Sequence, residues 1–383
     1  MLIPLILAAF THLWNIDEFP LYHPDEGHYM RRIFVVLNGI GLLEKTGFYT
    51  NAYDHPFFGQ LLVGNLMRLS GYPNFAMENT TSSIELAMAF PRMIMGIFAI
   101  IDTFLIFKIS QRIYNLRIGF FASILFAVTP MTWLLRMTTL DAIALPFLLA
   151  SILISLNLAS WNKNRNIHQH IFLVLLSGTF LGLSILTKIP LITMIPLFGY
   201  LIYKNSNYLN NWFSLKMIFV GLVPVVLIAS SWPLHAIYLD QFDSWKNDVF
   251  NQVNRERREI IESFFNIDWL LLFLGLSGLV YSFLKKDLIL ILWILPFLIF
   301  VYVHGWFVPF HWIIVFPAFC IAGAKFVIDL TQRIKIKQIR QPILLTVICT
   351  IIGGVGFFNT IAIINQNLQS AAIESISESL DNL

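Results

Sequence analysis

Residues 215–232 read LKMIFVGLVPVVLIASSW, an apolar run that is long enough to cross a lipid bilayer and has one lysine at its start. A helical span needs roughly 20 residues, because the hydrocarbon core is about 30 Å thick. Runs of this kind recur along the whole chain, which has 383 residues, 57% of them hydrophobic and 12% charged. Soluble domains carry roughly 25% charged residues. The sequence therefore predicts an all-α, polytopic membrane protein.

The apolar runs predict about 11 transmembrane helices, together with interfacial helices in the first outer loop. The runs are 1–14, 85–108, 118–135, 142–160, 170–187, 190–203, 215–232, 268–284, 288–303, 311–330 and 342–363. The first run is short, so either the native chain starts upstream of Met1 or this helix ends inside the bilayer. We predict one membrane domain, residues 1–365, followed by a short polar outer tail, residues 366–383.

Lysine and arginine predict the orientation, because they are enriched in short cytoplasmic loops. They fall at alternate connections, namely Lys108, Arg112, Arg117, Lys163, Arg165, Lys204, Lys216, Lys285, Lys286 and the cluster from Arg333 to Arg340. The loops 15–84 and 233–267 are then outside the cell membrane. The run Phe57–Leu69 is predicted as an interfacial helix on the outer leaflet, with a short true span as the alternative.

The charge and cysteine content exclude some partners. The net charge is only +3, and no basic run is longer than the cluster near Arg333, which argues against nucleic acid as a partner. Cys320 and Cys349 both lie in apolar runs, so we expect them to be reduced and structural.

The first outer loop concentrates ionisable side chains. It reads HPDEGHY at residues 23–29 and YDHP at residues 53–56. A carboxylate at the edge of the membrane can act as a base, because partial burial raises its pKa towards the working pH. The alternative is a solvated acidic loop that begins a helix. The catalytic candidates are Asp25, Glu26, Asp54 and His55. A divalent cation held by these carboxylates with His23, His28 and His55 stays open.

Further charged or polar side chains lie next to predicted spans, where each charge costs roughly 2.5–3.5 kcal/mol at the bilayer centre. The substrate-binding candidates are Tyr29, Arg92, Arg136, Asp141, Lys188 and His304, with Arg255 and Arg258 from the second outer loop. Arginine forks suit phosphate. The alternatives are a local ion pair between Arg136 and Asp141, snorkelling of Lys188 to the interface, and a solvated amphipathic helix around Arg255.

Several segments, taken in order, resemble the GT-C glycosyltransferases of the family 39 type, which include protein O-mannosyltransferases and lipid A aminoarabinose transferases. The segments are Asp25-Glu26, Asp54-His55-Pro56-Phe57-Phe58, Ala89-Phe90-Pro91-Arg92-Met93, Gln111-Arg112-Ile113-Tyr114, Thr129-Pro130 with Arg136 and Asp141-Ala142, Gly182 to Lys188, and Ser231-Trp232-Pro233. The resemblance covers roughly residues 1–320. The chain departs from it in a single proline after His55 and in the reversed order of Trp232 and Pro233.

The resemblance implies an inverting transferase that uses a polyprenyl-phosphate-linked sugar at the extracytoplasmic face. Asp25 would be the general base, Glu26 would orient the acceptor or tune Asp25, and Asp54 with His55 would complete the polar wall. The cations Arg92, Arg136, Lys188, Arg255 and Arg258 would hold the leaving lipid phosphate, with Asp141 positioning Arg136. The implied partners are the donor, membrane lipids and a protein, lipid or glycan acceptor. No obligatory metal is implied, and neither the sugar nor the acceptor can be chosen from the sequence.

Two other classes of function remain as alternatives. A transporter or flippase of a lipid-linked or anionic substrate would also need polar groups in a membrane protein, although such proteins usually have repeated halves, and no repeat is evident in this sequence. A non-catalytic membrane scaffold, whose loops only pack, would tolerate changes at Asp25 and Asp54.

Overall fold

The computed structural model describes residues 1–46, 50–72, 81–158, 167–206, 211–253, 260–304, 308–334 and 340–368. Its helices are α1 (Leu2–Leu13), α2 (Pro24–Leu37), α3 (Phe58–Leu69), α4 (Thr81–Ile113), α5 (Leu116–Val128), α6 (Leu140–Asn157), α7 (Ile167–Ile185), α8 (Ile195–Ser206), α9 (Asn211–Tyr238), α10 (Phe242–Val253), α11 (Ile260–Leu284), α12 (Leu288–His304), α13 (Phe316–Arg333) and α14 (Arg340–Ile364). A short antiparallel hairpin joins β1 (Lys45–Thr46) to β2 (Thr50–Asn51).

The long helices make this a multi-pass membrane protein. Within the described ranges, six helices are long and apolar enough to cross a bilayer, and they belong to α4, α6, α7, α9, α11 and α14. A seventh candidate is α5 together with the segment Pro130–Arg136, which bends away from it by 68°. The all-α membrane fold is confirmed, whereas the predicted total of about 11 spans stays a prediction, because α1 and α12 are shorter apolar helices.

Large apolar side chains on the outside of the bundle agree with a lipid surround. Phe219 on α9 is 71% exposed and Phe358 on α14 is 72% exposed. A water-facing surface rarely presents such contiguous apolar area, so these faces are suited to hydrocarbon. The buried core includes the interface of α5 with α13, where the rings of Phe126 and Phe316 stack at a centroid distance of 4.6 Å.

In the part of the chain that the structure describes, three short 3₁₀ helices lie at the end of the bundle where the first loop lies. They span Pro130–Arg136, Ile189–Met194 and Pro309–Ile314, and each has a proline in its first two positions. Proline has no backbone N–H to continue a preceding helix, so the chain turns at these points. The residues that flank these 3₁₀ segments do not lie in a straight membrane-spanning helix. Their side chains can therefore point into the bundle.

The helix α3 belongs to the first loop and packs on α2. Its 12 residues rise about 18 Å, well short of a hydrocarbon core of about 30 Å. A Cβ placed on Gly64 would lie 3.0 Å from the carbonyl oxygen of Ile33, so α2 and α3 approach as closely as only glycine permits. The length of α3 favours the predicted interfacial helix over the short true span.

The helix α11 is broken at Asp268, and the side chain at this break binds the start of the 3₁₀ segment that follows α5. Asp268 has φ −152° and ψ 74°, outside helical values, and its buried carboxylate accepts hydrogen bonds from the backbone N–H groups of Met131 at 3.2 Å and Leu271 at 2.9 Å. Asp268 therefore caps the second part of α11 and fixes the start of the segment Pro130–Arg136.

Candidate active site

A cavity of about 210 Å³ opens at the end of the bundle where α2 and the 3₁₀ segments meet. Six of the predicted site residues line it, namely Asp25, Tyr29, Asp54, His55, Lys188 and His304. The remaining lining is mostly apolar and includes Trp232, Phe297, Phe300, Val301 and Phe310. The cavity therefore combines charged and polar side chains with a larger apolar part that is suited to hydrocarbon.

Asp25 lies in the first turn of α2, and its carboxylate faces this cavity. Proline at the first position of α2 and the ring of His23, whose Nδ1 accepts a hydrogen bond from the Asp25 N–H at 3.2 Å, start the helix here. A negative charge is favoured at a helix N-terminus. No residue of the described ranges donates a hydrogen bond to the Asp25 carboxylate or forms an ion pair with it, so both oxygens are available to a substrate.

Glu26 is engaged elsewhere, in a buried clamp with Arg92. The Arg92 Nε and Nη2 atoms donate to its two carboxylate oxygens at 2.8 and 2.6 Å, and both side chains are fully buried. Glu26 also accepts from the Thr138 N–H at 2.9 Å, while Arg92 Nη1 donates to the Pro20 carbonyl at 2.8 Å. The clamp joins α2, α4 and the chain before α6.

This arrangement disagrees with the role expected for Arg92 and with one of the two roles expected for Glu26, the orientation of the acceptor, but not with the tuning of Asp25. Arg92 does not line the cavity, and its guanidinium is satisfied by Glu26 and backbone carbonyls, so it is not placed to hold a substrate phosphate. Glu26 likewise does not reach the cavity and is not placed to orient an acceptor. Its contribution is to fix the first turn of α2, and with it the neighbouring Asp25.

Arg136 is also a structural group rather than a cavity residue. Its guanidinium donates to the carbonyl oxygens of Trp14 and, at 3.4 Å, Thr11, which are among the last carbonyls of α1. A cation at a helix C-terminus stabilises these unpaired carbonyls. The expectations that Arg136 binds the phosphate and that Asp141 positions it are therefore not met by the geometry.

Asp141 pairs instead with Lys188, across two different segments of the bundle. The Lys188 Nζ atom lies 3.1 Å from the Asp141 carboxylate, and both side chains are buried. Burial would lower the pKa of Lys188, but the charge of Asp141 and the contact with Tyr29 outweigh it, so the pKa lies above its ordinary value. Lys188 does not snorkel to the interface. It is a buried cation that is paired with Asp141.

Aromatic rings hold the Lys188 ammonium at the cavity wall. Its Nζ atom lies 5.5 Å from the centre of the Phe310 ring and 6.0 Å from the centre of the Tyr29 ring. Rings at these distances attract a cation through their negative faces. Burial, more than the opposing charge of Lys188, raises the pKa of Tyr29 to about 12, so its hydroxyl keeps its proton and can donate a hydrogen bond.

Asp54 lies in a charged cluster between α2 and the hairpin. Arg32 donates a short hydrogen bond to its carboxylate, and the His28 Nε2 atom lies 3.4 Å from it. Burial opposes ionisation of Asp54, but the hydrogen bond from His28 and the charge and hydrogen bond of Arg32 outweigh it and keep the pKa of this carboxyl well below its ordinary value. Asp54 is therefore a poor base, and it anchors the chain that carries His55.

His55 presents a neutral imidazole to the cavity. Burial and the charge of Lys188 hold the pKa of this ring well below its ordinary value, and the nearby Asp54 only partly offsets them. The ring centre lies 5.7 Å from that of Tyr29. A neutral imidazole can donate or accept a hydrogen bond, which suits contact with a sugar hydroxyl.

The neutral state of His55 predicts a pH dependence of stability. The unfolded chain takes up a proton at this residue below about pH 6.5, whereas the folded protein resists it, so His55 removes stability as the pH falls from about 6.5 towards the lower folded pKa. Between pH 6.5 and 5 the wild type should lose up to about 1.4 kcal/mol per pH unit more than His55→Gln. Thermal unfolding of both proteins across this range measures it, and parallel curves would contradict it. Asp54 titrates below this window.

The loop 233–267 packs on the loop 15–84 through α10. The Asp248 carboxylate accepts a hydrogen bond from the Tyr53 N–H at 2.7 Å, and the Gln241 side-chain oxygen accepts from the Tyr53 hydroxyl at 3.2 Å. Val249 of α10 and Trp232 of α9 line the cavity. The two loops predicted to form the site thus meet beside it. Arg255 and Arg258 lie outside the described residues.

Some cavity residues carried no clear signal in the sequence. Phe297, Phe300 and Phe310 sit in apolar runs that give no sign of which side chain faces a cavity. Arg32 lies on α2, and Asp54 follows the β1–β2 hairpin. The sequence does not show that the hairpin brings Asp54 to Arg32, so this contact is visible only in the structure. As to a metal, no group of three His, Cys, Asp or Glu side chains within the described ranges is arranged to hold an ion.

Comparison with known proteins gives the fold a name. The ArnT protein of Cupriavidus metallidurans, in the apo state, is similar with a TM-score of 0.64 and 14% identity over 96% of this chain and 76% of that chain. The oligosaccharyltransferase of Archaeoglobus fulgidus is similar with a TM-score of 0.62 and 12% identity over 96% of this chain and 54% of that one. This chain therefore spans about half the length of the archaeal protein. No curated protein gives a significant sequence match.

The chain has the GT-C fold, as ArnT does. Within this class, residues 55–232 match the family described as dolichyl-phosphate-mannose-protein mannosyltransferase. The matched segment begins at His55 and ends at Trp232, and both residues line the cavity. The predicted GT-C resemblance is thereby confirmed.

Proposed function

We propose that the protein is an inverting glycosyltransferase, which moves a sugar from a polyprenyl-phosphate donor to an acceptor hydroxyl. One observation carries the proposal: the free carboxylate of Asp25 and the buried cation Lys188 line the same cavity, which has an apolar wall. A base and a phosphate-binding cation are the two groups that this reaction needs. The ArnT structure described as bound to undecaprenyl phosphate, with a TM-score of 0.61, supports a lipid-linked donor.

The reaction assigns a role to each polar wall residue. Asp25 removes the proton from the acceptor hydroxyl as its oxygen attacks the anomeric carbon of the donor sugar. The bond between that carbon and the phosphate oxygen breaks on the opposite face, and the electron pair leaves with the phosphate. Lys188 stabilises the phosphate anion, while Tyr29 and His55 donate hydrogen bonds to phosphate or sugar oxygens. The isoprenoid tail packs against Phe297, Phe300 and Val301.

The outer face of the membrane is the side that we assign to this site. Lys108, Arg112 and Arg117 lie around the connection between α4 and α5, at the end of α5 that is remote from the cavity. Basic residues in a short loop favour the cytoplasm. The cavity, next to the other end of α5, is then extracytoplasmic. An acceptor protein, lipid or glycan would reach it from that side.

The proposal is tested with the purified full chain in proteoliposomes that contain a polyprenyl-phosphate sugar labelled in the sugar. Transfer of the label to an acceptor, with release of polyprenyl phosphate and inversion at the anomeric carbon, is the expected result. A transporter or flippase, the second candidate, would move labelled lipid across the bilayer without forming a glycosylated product. Flux without any product would overturn the proposal.

Replacement of Lys188 should separate its proposed role in binding the donor phosphate from its structural role as the counter-ion of Asp141. We expect Lys188→Gln to lower kcat/KM by about 10²-fold, since the leaving phosphate loses its cation. The same change leaves Asp141 buried without its partner, which destabilises the fold. The double variant Lys188→Gln/Asp141→Asn removes that isolated charge and should restore stability but not activity. Recovery of wild-type transfer in the double variant would limit Lys188 to a structural role.

A further inference from the structure

A second, larger cavity lies away from the candidate active site, at the lipid-facing periphery of the helix bundle. It has a volume of about 630 Å³ and lies between α1, α5 and α14. Its walls are mostly apolar and include Leu7, Phe120, Ile124, Leu345 and Phe357. None of its lining residues lines the candidate active site. We call it the α14 groove.

Hydrogen bonds attach α14 to its neighbours at both ends of the groove. At the end near the site, the Thr360 hydroxyl donates to the Val128 carbonyl at 2.6 Å. At the other end, the Gln341 side chain donates to the Gln332 carbonyl of α13 at 2.9 Å. Between them α14 approaches α5 at Gly353, where an added Cβ would lie 3.2 Å from Ile124, whereas a Cβ placed on Gly354 would meet nothing within 4 Å and lies in the open space of the groove. A channel of this kind fills with lipid in a bilayer, because an empty apolar void loses its van der Waals contacts.

The length of the groove matches one leaflet. Its lining follows α5 from Leu116 to Val128, a rise of about 18 Å at about 1.5 Å per residue. Half of the hydrocarbon core is about 15 Å thick. Val128 leads into the 3₁₀ segment beside the site, so the Leu116 end lies in the leaflet on the opposite side of the membrane from the site. An acyl chain of a phospholipid in that leaflet fits this length.

The far end of the groove also carries a charge. Arg117 lines it, its side chain is exposed, and no carboxylate of the described residues lies within ion-pair distance of its guanidinium. Acyl chains gain little by moving from bulk lipid to a protein groove, since both surroundings are apolar. Selection among lipids therefore rests on the headgroup, and a free guanidinium selects phosphate-bearing anions.

We propose that the α14 groove is a binding site for one anionic phospholipid of the leaflet opposite the active site, with its acyl chain along α5 and its headgroup at Arg117. This lipid is distinct from the proposed donor. The donor places its phosphate at Lys188, next to the 3₁₀ segments, whereas this phosphate lies at the other end of α5. The bound lipid fills the space that separates α14 from α1 and so stabilises the packing of α14.

Native mass spectrometry of the full chain tests this site directly. The protein is titrated with phosphatidylglycerol and with phosphatidylcholine of identical acyl chains. We expect one phosphatidylglycerol to bind about tenfold more tightly than phosphatidylcholine, and Arg117→Gln to reduce this preference to about onefold. Equal affinities of the wild type for the two lipids would overturn the proposal. Arg117 is exposed, so its replacement does not endanger folding.

A matched pair of variants on α14 tests the groove itself. Gly354→Trp places a large side chain in the open space and should abolish the phosphatidylglycerol adduct. Ile351→Trp, at a residue that is 60% exposed and does not line the groove, should keep it. Retention of the lipid by Gly354→Trp would overturn the proposal. So would a lipid-free dimer of the wild type, because a second copy would then cover the groove.

Discussion

Asp25→Asn should lower kcat/KM for sugar transfer by about 10³-fold while the protein still folds and binds its donor. A positioned general base contributes roughly 10²–10⁴-fold. The Asp25 carboxylate lines the cavity and receives no hydrogen bond from the described residues, so the change removes a proton acceptor without breaking an internal contact. Asparagine has nearly the same shape, so α2 should begin at the same residue.

The measurement is single-turnover transfer of labelled sugar in proteoliposomes, together with binding of the unreacted donor. Asp54→Asn is the matched control, because Asp54 is also a carboxylate of the cavity wall but is held by Arg32 and His28. Its replacement should weaken folding of the hairpin and lower kcat far less than Asp25→Asn. Transfer by Asp25→Asn within threefold of the wild-type rate would exclude Asp25 as the base.

Much of the fold and part of the site could be predicted from sequence. Hydropathy identified the long spans, because membrane insertion depends on runs of apolar residues. The order of segments containing Asp25, His55 and Lys188 predicted that they would meet, and all three line one cavity. A polar or charged side chain beside a membrane span is costly, so such residues are rare there. The few that occur stand out in the sequence.

The choice of ionic partners could not be predicted in the same way. Arg136 and Asp141 are near neighbours in sequence, yet Arg136 caps α1 and Asp141 pairs with Lys188. The reason is that the chain leaves its 3₁₀ segment extended at Met137 and Thr139, which sends the two side chains to different neighbours. Sequence distance predicts contacts inside one helix but not across such a break.

The position of a buried arginine relative to a cavity is equally hidden. Arg92 and Lys188 both follow motifs of the resemblance and both are buried, but only Lys188 lines the cavity. A cation that is already satisfied by a carboxylate and two carbonyls has little capacity for substrate. A structural cation can therefore be distinguished from a substrate-binding cation only when the partner of each charge is known. The spacing of residues in the sequence does not identify these partners.

Glu26→Gln should cost about 3–5 kcal/mol of unfolding free energy, because it leaves Arg92 charged and buried without a counter-ion. Glu26 and Arg92 form a bidentate pair at 2.8 and 2.6 Å, and neither side chain is exposed. The effect is measured by denaturant or thermal unfolding in mixed micelles. Arg31→Met is the matched control. It breaks the pair between Arg31 and Glu44 at 3.1 Å, but the Arg31 side chain is 65% exposed, so the expected cost is below about 1 kcal/mol.

A double variant then separates the clamp from a role in the chemistry. Glu26→Leu/Arg92→Met leaves no isolated charge, so it should be more stable than Glu26→Gln, although Thr138 N–H and the Pro20 carbonyl still lose their partners. If Glu26 acts only by fixing the first turn of α2, the folded fraction of Glu26→Gln at low temperature should keep kcat within about tenfold of wild type. Loss of activity by Glu26→Gln without loss of stability would instead show that Glu26 acts in the reaction, either by binding the acceptor or by tuning Asp25.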